Sequence, residues 1–411
     1  MHVAMIGQKG LPATFGGIEH HVEELGTRLA ARGHDVTVFC RTSYSNARRD
    51  HRGMHLRRVP TVGTKHLDAI VHSALSTLVS MADPPDVIHY HALGPGLLSP
   101  LPRYLSHSKV VLSVHGLDHR RAKWGRGARA VLGTAAWMSA RVPDATIGVS
   151  WELAEHYRSR YGRPIAYIPN GVTVRQPRQA DEITRRYGLV HGSYLLFVGR
   201  LVPEKAPDLL IRAFRRIRDD LRLVIVGGSS FTDDYADSLR RLAAADPRVI
   251  LTGYVHGVPL EELYSNAAAF VLPSRLEGLP LTLLEAASYG TPVVASDIPP
   301  HVQVLNDDAP GRHLFQTGDE GSLAEALLRT IRNLPLEHQG ARRFSKQVAR
   351  TYRWDDVAQA TEELYGQILS SRRPPSFRRA MVAKGTPTRF APFPKETRSS
   401  QETETSGRSQ R

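Results

Sequence analysis

The sequence lacks the features that mark secreted, membrane-spanning and metal-dependent proteins. Its 411 residues contain one cysteine, Cys40, so no intramolecular disulfide can form and we expect a reducing, cytoplasmic environment. No apolar run approaches the roughly 18 residues that a membrane-spanning helix needs. No Asp-x-Asp triplet and no zinc-ligand spacing occurs anywhere in the chain. We therefore expect no metal and no other cofactor.

The net charge of +14 does not indicate a nucleic-acid-binding protein. Half of the excess positive charge lies after residue 370, in a segment rich in Pro, Ser, Thr and Arg that has no apolar periodicity. Such a composition predicts a disordered basic tail over 371–411. The rest of the chain is only moderately basic and carries no aromatic-basic RNA motif. We therefore expect no nucleic-acid partner.

Strands and helices are predicted to alternate along the chain in two successive series. Apolar runs at 2–7, 35–41, 87–90, 109–115 and 145–150 are separated by helical segments, and the pattern restarts at Tyr194. With 411 residues and 41% hydrophobic residues, the chain is long enough for two domains. We predict an α/β fold of two doubly wound, Rossmann-like domains, at 1–175 and 176–352, followed by a helix at 353–370.

The most informative stretch is Glu-Gly-Leu-Pro-Leu-Thr-Leu-Leu-Glu, which runs from Glu277 to Glu285. It follows a short apolar run that predicts a buried strand and leads into a predicted helix at 281–289. Ligands of open parallel sheets bind beyond the carboxyl ends of the strands. Two carboxylates can accept hydrogen bonds from sugar hydroxyls there, and a helix N-terminus offers free amides to phosphate. Together these features predict a site for a nucleotide sugar.

A second predicted strand-loop-helix unit supplies positive charge. Arg200 and Lys205 lie five residues apart across the turn after strand 194–201, so both side chains could reach one anion from different sides. A diphosphate leaving group needs such charge, because it becomes more negative as the glycosidic bond breaks. In the first domain, Gly16 and Gly17 precede a predicted helix and allow close backbone approach to a phosphate or sugar. His115 follows the apolar run 110–114, where an imidazole could bond to a sugar hydroxyl.

These motifs resemble those of the retaining nucleotide-sugar glycosyltransferases, the group 1 or family 4 enzymes that include sucrose synthase and the phosphatidylinositol mannosyltransferases. The Glu277–Glu285 stretch is similar to the family signature, and Gly199-Arg200…Glu204-Lys205 is similar to its diphosphate-binding motif. The family usually has glycine where this chain has Ala206. The resemblance implies the GT-B fold, in which an acceptor domain, here 1–175, and a nucleotide-sugar donor domain, here 176–352, face each other across a cleft. It also implies that the terminal helix at 353–370 packs back on the first domain.

The resemblance also implies residue roles. His115, Glu277, Arg200 and Lys205 are the expected catalytic residues. The expected donor-binding residues are Gly16, Gly17, Arg200, Lys205, Gly278, Leu279 and Glu285. The implied partners are a nucleoside-diphosphate sugar and a glycan or lipid-linked acceptor, with retention of anomeric configuration and no covalent enzyme intermediate. Relatives with a first loop like Gly-Leu-Pro-Ala…Gly-Gly-Ile-Glu serve exopolysaccharide assembly, which favours a bacterial surface polysaccharide or glycolipid.

Three other functions are compatible with parts of the pattern. A dinucleotide-dependent oxidoreductase could use Arg41, at the end of the second strand, to bind a 2′-phosphate, but the first glycine-rich loop does not match G-x-G-x-x-G. A nucleotide-sugar epimerase of the same fold is the closer alternative, and it would need acid and base residues that the sequence does not indicate. A glycan-binding module without enzymatic activity is the third alternative, and the presence of both Arg200 and Lys205 argues against it.

The segment 120–141 predicts either membrane attachment or ordinary structure. Basic and aromatic residues alternate there with apolar ones: Arg120, Arg121, Lys123, Trp124, Arg126, Arg129, Val131, Leu132, Trp137 and Met138. Cations beside tryptophan favour an anionic bilayer surface, where each basic residue contributes about 1 kcal/mol. The same apolar residues are also typical of a helix that faces the core, preceded by basic residues that are exposed to solvent. On the first interpretation the protein is a peripheral protein of the inner face of the cell membrane.

Overall fold

The computed structural model describes residues 1–14, 16–44, 49–62, 68–117, 125–229 and 233–371. The predicted basic tail lies outside these residues from Arg372 onward. Arg120, Arg121, Lys123 and Trp124 of the predicted membrane segment lie outside them as well. No helix in the described part of the chain is both long and apolar enough to cross a bilayer.

The first domain is built on a sheet that is parallel except at one edge. Its strands are β1 (His2–Ile6), β2 (Asp35–Arg41), β3 (Asp50–His51), β4 (Met54–Val59), β5 (Val87–His91), β6 (Lys109–Val114), β7 (Ala145–Gly148) and β8 (Ala166–Tyr167). The order is β3-β4-β2-β1-β5-β6-β7-β8, and only the β3–β4 pair is antiparallel. Every residue of β5 and β6 is buried, as expected for parallel strands covered on both faces.

The second domain is built on a wholly parallel sheet. Its strands are β9 (Tyr194–Val198), β10 (Arg222–Val226), β11 (Val249–Gly253), β12 (Ala269–Leu272), β13 (Val293–Ser296) and β14 (Arg312–Phe315). They lie in the order β11-β10-β9-β12-β13-β14. Two parallel-sheet α/β domains confirm the predicted fold class.

Helices connect these strands and cover the sheets. In the described residues they are α1 (Gly17–Ala31), α2 (Asp68–Ala82), α3 (Leu93–Gly96), α4 (Pro100–Leu105), α5 (Arg126–Ser139), α6 (Trp151–Tyr161), α7 (Glu182–Tyr187), α8 (Pro207–Arg215), α9 (Asp233–Ala244), α10 (Val258–Asn266), α11 (Leu281–Ser288), α12 (Pro299–Leu305), α13 (Glu320–Arg332), α14 (Leu334–Thr351) and α15 (Trp354–Ser370). In α1, Val22, Leu25 and Leu29 are spaced at i, i+3 and i+7 and are all buried, which is the pattern of a helix packed on a core.

Four strands were not predicted from the sequence: β3, β4, β8 and β14. Strand β4 reads Met-His-Leu-Arg-Arg-Val, and only Met54, Leu56 and Val59 are buried. The polar residues between them hide the apolar pattern in the sequence. Pairing with β2 over five residues, Thr37 to Arg41, makes the segment a strand. Its backbone groups need partners, and an open sheet edge supplies them.

Helix α15 packs on the first domain. Arg28 of α1 donates through Nε to Asp355 at 3.1 Å, and His34 Nε2 lies 2.8 Å from a Glu362 oxygen. The Tyr365 hydroxyl lies 2.6 Å from His89 Nδ1 in the core of the first domain. The last helix therefore joins the end of the chain to its beginning.

In both sheets the strand order reverses at the first strand of the domain. Strand β1 lies between β2 and β5, and β9 lies between β10 and β12. In open α/β sheets, ligands bind beyond the carboxyl ends of the strands at such switch points. The segments that follow β1 and β9, at 7–16 and 199–206, are therefore where a ligand is expected in each domain.

Candidate active site

A cleft of about 490 Å³ opens between the two domains at these switch points. Its lining includes all nine residues predicted for the site: Gly16, Gly17, His115, Arg200, Lys205, Glu277, Gly278, Leu279 and Glu285. The lining also includes Lys9, Glu19, Asp68 and Asn170, which the sequence did not predict as site residues, and Arg41, which it considered only for an oxidoreductase. Residues from seven separate segments of the chain thus meet in one place.

Lys205 and Glu277 form a nearly buried ion pair on the second-domain wall. The Lys205 Nζ atom lies 2.5 Å from Glu277 Oε1, and the two side chains are 14% and 10% exposed. Ser274 Oγ donates to the same oxygen at 2.7 Å. Burial alone would raise the pKa of Glu277, but Lys205, His301 and the Ser274 hydroxyl together lower it below the ordinary value. Glu277 is therefore a carboxylate that holds the Lys205 ammonium in place.

The turn that carries Arg200 is packed closely against a second glycine turn. Gly199 N donates to Val226 O at 3.0 Å, and a Cβ added to Gly227 would lie 1.8 Å from Gly199 O. Gly227 also has a φ of +140°, so only glycine fits there. Ala206, which replaces the usual glycine of the family, has a φ of 48° and lies between a turn at Pro203–Lys205 and helix α8. The position thus needs the left-handed conformation that glycine adopts without strain.

Glu285 and the N-terminus of α11 lie on the same wall. The Tyr264 hydroxyl donates to Glu285 Oε2 at 2.9 Å, and His20 Nε2 of the first domain lies 3.9 Å from Oε1. Helix α11 follows Pro280 and has no side-chain cap. The first-turn amides of a helix have no partners within the helix, so those of α11 can bind an anion in the cleft.

The two domains touch at the base of the cleft. A Cβ added to Gly278 would lie only 2.1 Å from the backbone oxygen of His115. Asn170 Nδ2 donates to Leu279 O at 2.7 Å, and its Oδ1 lies 2.9 Å from His21 Nδ1. The Asn170 side chain thus lines the cleft and joins both domains.

A buried histidine cluster, which the sequence did not reveal, lies beneath His115. His91 Nδ1 lies 3.3 Å from His115 Nε2, and the His21 ring centroid is 4.7 Å from that of His115. Burial lowers the pKa of His21 to about 4, that of His89 to about 3, and that of His91 well below 6.5. Nitrogen atoms of His21, His91 and His115 lie within 4.8 Å of one another, so these three imidazoles are the group that could hold a metal ion in the described part of the chain.

The buried histidines predict a fall in stability between pH 6.5 and 5. The unfolded chain takes up protons near pH 6.5, whereas folded His21, His89 and His301 resist protonation down to about pH 4, 3 and 4. Stability therefore rises with pH in this window, and each such histidine contributes on the order of 1–2 kcal/mol across it. Urea unfolding at the two pH values should show the change.

Replacing one histidine isolates its share of this effect. His89→Gln keeps polar atoms for Tyr365 and Ser113. In this variant the free energy of unfolding should change less between pH 6.5 and 5 than in wild type, because one buried histidine is missing. His107→Gln, at an exposed position, is the control and should leave this pH dependence unchanged. An equal pH dependence in wild type and His89→Gln would contradict the prediction.

Comparisons with known proteins agree with this architecture. The family described as glycosyl transferases group 1 matches residues 192–333, and glycosyltransferase family 4 matches residues 15–176. A GDP-mannose-dependent α-(1-6)-phosphatidylinositol monomannoside mannosyltransferase of Mycolicibacterium smegmatis is 30% identical over 309 residues, which cover 69% of this chain and 78% of the relative. A D-inositol 3-phosphate glycosyltransferase of Acidothermus cellulolyticus is 29% identical over 398 residues and 87% of each chain.

Solved structures show the same fold at lower identity. Sucrose-phosphate synthase from Thermosynechococcus elongatus superposes with a TM-score of 0.77 at 21% identity, over 90% of this chain and 99% of that structure. Anabaena HepE in complex with UDP and glucose superposes with a TM-score of 0.75 at 17% identity, over 89% and 100%. From its two matched family regions, its mannosyltransferase relative and its fold, the chain belongs to the group 1 glycosyltransferases of the GT-B type.

Proposed function

We propose that this glycosyltransferase moves a hexosyl group from a nucleoside-diphosphate sugar to a glycan or lipid-linked acceptor with retention of anomeric configuration. The observation that carries the proposal is the convergence of Arg200, Lys205 and the N-terminus of α11 on one wall of the interdomain cleft. Two cations and a set of free amides suit a diphosphate, and the flanking carboxylates suit sugar hydroxyls.

The donor diphosphate is stabilised by positive charge as it leaves. Arg200 and Lys205 supply that charge, and the α11 amides bind phosphate oxygens, so no metal ion is needed to bridge the diphosphate. Lys205 is held in place by Glu277, which limits its side-chain motion. Preorganised groups of this kind lower the barrier because they need not reorient during the reaction.

The sugar lies between Glu277 and His115, close to where the two domains touch. Glu285, next to Tyr264, accepts hydrogen bonds from the ribose. The acceptor oxygen attacks the anomeric carbon on the face from which the diphosphate departs, and the departing phosphate oxygen takes the acceptor proton. The C–O bond to the diphosphate breaks as the new one forms, without a covalent intermediate on the enzyme.

The mannosyltransferase relative supports a lipid-linked acceptor. Its name specifies GDP-mannose as the donor and a phosphatidylinositol monomannoside as the acceptor. We infer an acceptor of the same general kind, a glycolipid or a growing glycan of a bacterial surface polysaccharide. A cytoplasmic enzyme that acts at the inner face of the cell membrane fits such an acceptor.

Incubation of the purified protein with UDP-, GDP-, ADP- and dTDP-sugars and a panel of glycolipid and glycan acceptors tests the function. We expect acceptor-dependent release of a nucleoside diphosphate, a product with the donor's anomeric configuration by NMR, and the same rate in EDTA. An isomerised sugar without glycosylated acceptor would show an epimerase instead. Loss of activity in EDTA would overturn metal independence and direct attention to the His21–His91–His115 group.

The proposed ribose contact predicts a binding defect for Glu285→Gln. The amide oxygen can still accept the Tyr264 bond, but the second, charged acceptor is lost. Because a ribose contact is similar in the ground and transition states, donor KM should rise while kcat stays within about twofold. Loss of a charged hydrogen bond costs about 1.5–3 kcal/mol, or roughly 10- to 100-fold in KM. Glu325→Gln, at an exposed position of α13, is the control. A fall in kcat at unchanged KM would contradict the assignment.

We further propose that the first domain docks on an anionic membrane surface. In α5, Val131 and Trp137 are exposed, and the Arg141 guanidinium lies 4.6 Å from the Trp137 ring centre. Tyr104 and Leu105 at the end of α4 are exposed too. A hydrogen bond of 3.2 Å from Arg103 Nε to Val142 O places α4 beside the end of α5. Exposed aromatic and apolar side chains beside arginine favour the membrane interpretation of this segment.

Vesicle sedimentation tests the docking surface. Wild type should bind anionic but not neutral vesicles, and high salt should release it. The variant with Arg120, Arg121, Lys123 and Arg126 replaced by Gln should lose most of the binding, and Leu105→Ser with Trp137→Ser should weaken it. A variant with Arg342, Arg343, Lys346 and Arg350, at exposed positions of α14, replaced by Gln also removes four positive charges and is the control. Equal sedimentation of wild type and the quadruple variant would show that the segment is not a membrane contact.

A further inference from the structure

Four charged side chains line the first-domain side of the cleft and have no role in the proposed donor site. Lys9 follows β1, Glu19 lies in the first turn of α1, Arg41 ends β2, and Asp68 begins α2. We refer to these four residues as the polar wall. They come from distant parts of the sequence, and the parallel order of β1 and β2 brings them together.

Residues of the polar wall form hydrogen bonds with one another and with neighbouring residues. Arg41 N donates to Lys9 O at 2.8 Å, so the two cations extend from adjacent backbones. Lys9 N donates to Glu19 Oε1 at 2.9 Å, and the Arg41 guanidinium is paired with Asp68. Thr61 Oγ1 donates to Asp68 Oδ1 at 3.0 Å. These bonds give Glu19, Arg41 and Asp68 defined positions before any ligand binds.

Arg41 has a buried donor that lacks a partner. Its side chain is 8% exposed, and Nε has no hydrogen-bond partner among the described residues. Arginine stays charged in proteins, so the Nε–H group remains a donor. A buried donor without a partner is unfavourable, and a ligand oxygen in the cleft would satisfy it.

The charges of the polar wall favour a neutral ligand. Two cations face two carboxylates, so the formal charge of the wall is zero. An anion bound there would lie beside Glu19 and Asp68 and be repelled by both. A sugar hydroxyl instead donates to a carboxylate and accepts from a cation at the same time. A ring with several hydroxyls can therefore bond to both kinds of charged group.

The polar wall also faces the donor site. Lys9 and Arg200 line the same cleft from the two domains, and burial together with the charges of Arg41 and Arg200 lowers the pKa of Lys9. Gly17, at the start of α1, lies against Leu281 of α11, since an added Cβ would be 3.6 Å from a Leu281 methyl. A ring on the polar wall would therefore lie close to the donor sugar.

We propose that Lys9, Glu19, Arg41 and Asp68 form the subsite for the acceptor, and that it takes a neutral sugar ring without a phosphate. The assignment rests on the proposed function, because it names the acceptor of the same cleft. A lipid or diphosphate carried by the acceptor lies outside this subsite.

The first test measures the binding of neutral sugars. Saturation-transfer NMR in the presence of UDP should detect octyl glucoside, galactoside or mannoside on wild-type protein, and signals from their 6-phosphates should be weaker. Arg41→Gln with Asp68→Asn should abolish the signal while UDP affinity by calorimetry stays within twofold, which also shows that the variant is folded. Asp83→Asn, an exposed residue just after α2, is the matched control. Stronger binding of the 6-phosphates, or no glycoside binding to wild type, would overturn the assignment.

The second test separates this inference from the proposed function. Asp68→Asn should raise the acceptor KM about tenfold or more, and should raise it by far more than it changes the donor KM. If wild type transfers sugar but Asp68→Asn and Arg41→Gln change the donor KM instead, the subsite is wrong and the function stands. If wild type transfers no sugar to any acceptor yet binds the neutral glycosides through these residues, the function is wrong and the sugar subsite stands.

Discussion

Arg200→Ala should lower kcat by about 100- to 1000-fold with saturating donor. The guanidinium stabilises charge that develops on the diphosphate only as the glycosidic bond breaks, and the loss of one such group costs roughly 2.7–4 kcal/mol. Because the effect belongs to the transition state, kcat and kcat/KM should fall together. Steady-state kinetics with the donor identified from the nucleotide-sugar panel measures both.

Arg216→Ala is the matched control for this experiment. Arg216 is an exposed arginine that caps α8 on the same domain, and it lies 4.0 Å from Glu320 rather than in the cleft. Its replacement should leave kcat within twofold. If Arg200→Ala has the same kcat as wild type at saturating donor, Arg200 is not a catalytic residue.

Gly278→Ala should reduce kcat/KM by about 100-fold, although it adds only one methyl group. That methyl would lie 2.1 Å from His115 O, a backbone atom that cannot move away alone. The loop between Glu277 and α11 must then shift, or the two domains must separate. A misplacement of about 1 Å in an active site costs on the order of 100-fold in rate, and the groups from both domains act together only when the cleft is closed.

Small-angle X-ray scattering distinguishes a shifted loop from separated domains. Wild type should become more compact with saturating nucleoside diphosphate, and Gly278→Ala should not if the methyl group holds the domains apart. Gly133→Ala provides the control, because a Cβ at that helical position meets nothing within 4 Å. Full activity of Gly278→Ala would show that the observed contact with His115 is not needed for catalysis.

The second-domain part of the site was largely predictable from local sequence. Glu277, Gly278 and Glu285 lie on one strand-loop-helix unit, and Arg200 and Lys205 lie on another, so their spacing is a property of short segments. The start of α11 at Leu281 and the burial of β12 follow from a short apolar run, a proline and a helical pattern. Parallel sheets place such loops at one edge, and for this reason the two units could be expected to meet.

Contacts between distant segments could not be predicted in this way. The sequence indicated Lys205 and Glu277 as separate site residues, but only the folded chain shows that they form one ion pair 72 positions apart. The histidine cluster depends on how α1, β5 and β6 pack, and no local pattern marks it. Strand β4 was missed for the same reason, since its partner β2 makes it a strand.

By itself, then, the sequence determined the fold class, the family, the charge of the tail and the chemical groups on each loop, because periodicity and motif spacing act over a few residues. Tertiary structure alone decided which of those groups face each other. It placed the polar wall opposite Arg200, brought Gly278 against His115, and joined both domains through Asn170. The physical reason is that these contacts form only when two separate sheets and α15 pack together, and burial then determines which charges are paired and which histidines stay neutral.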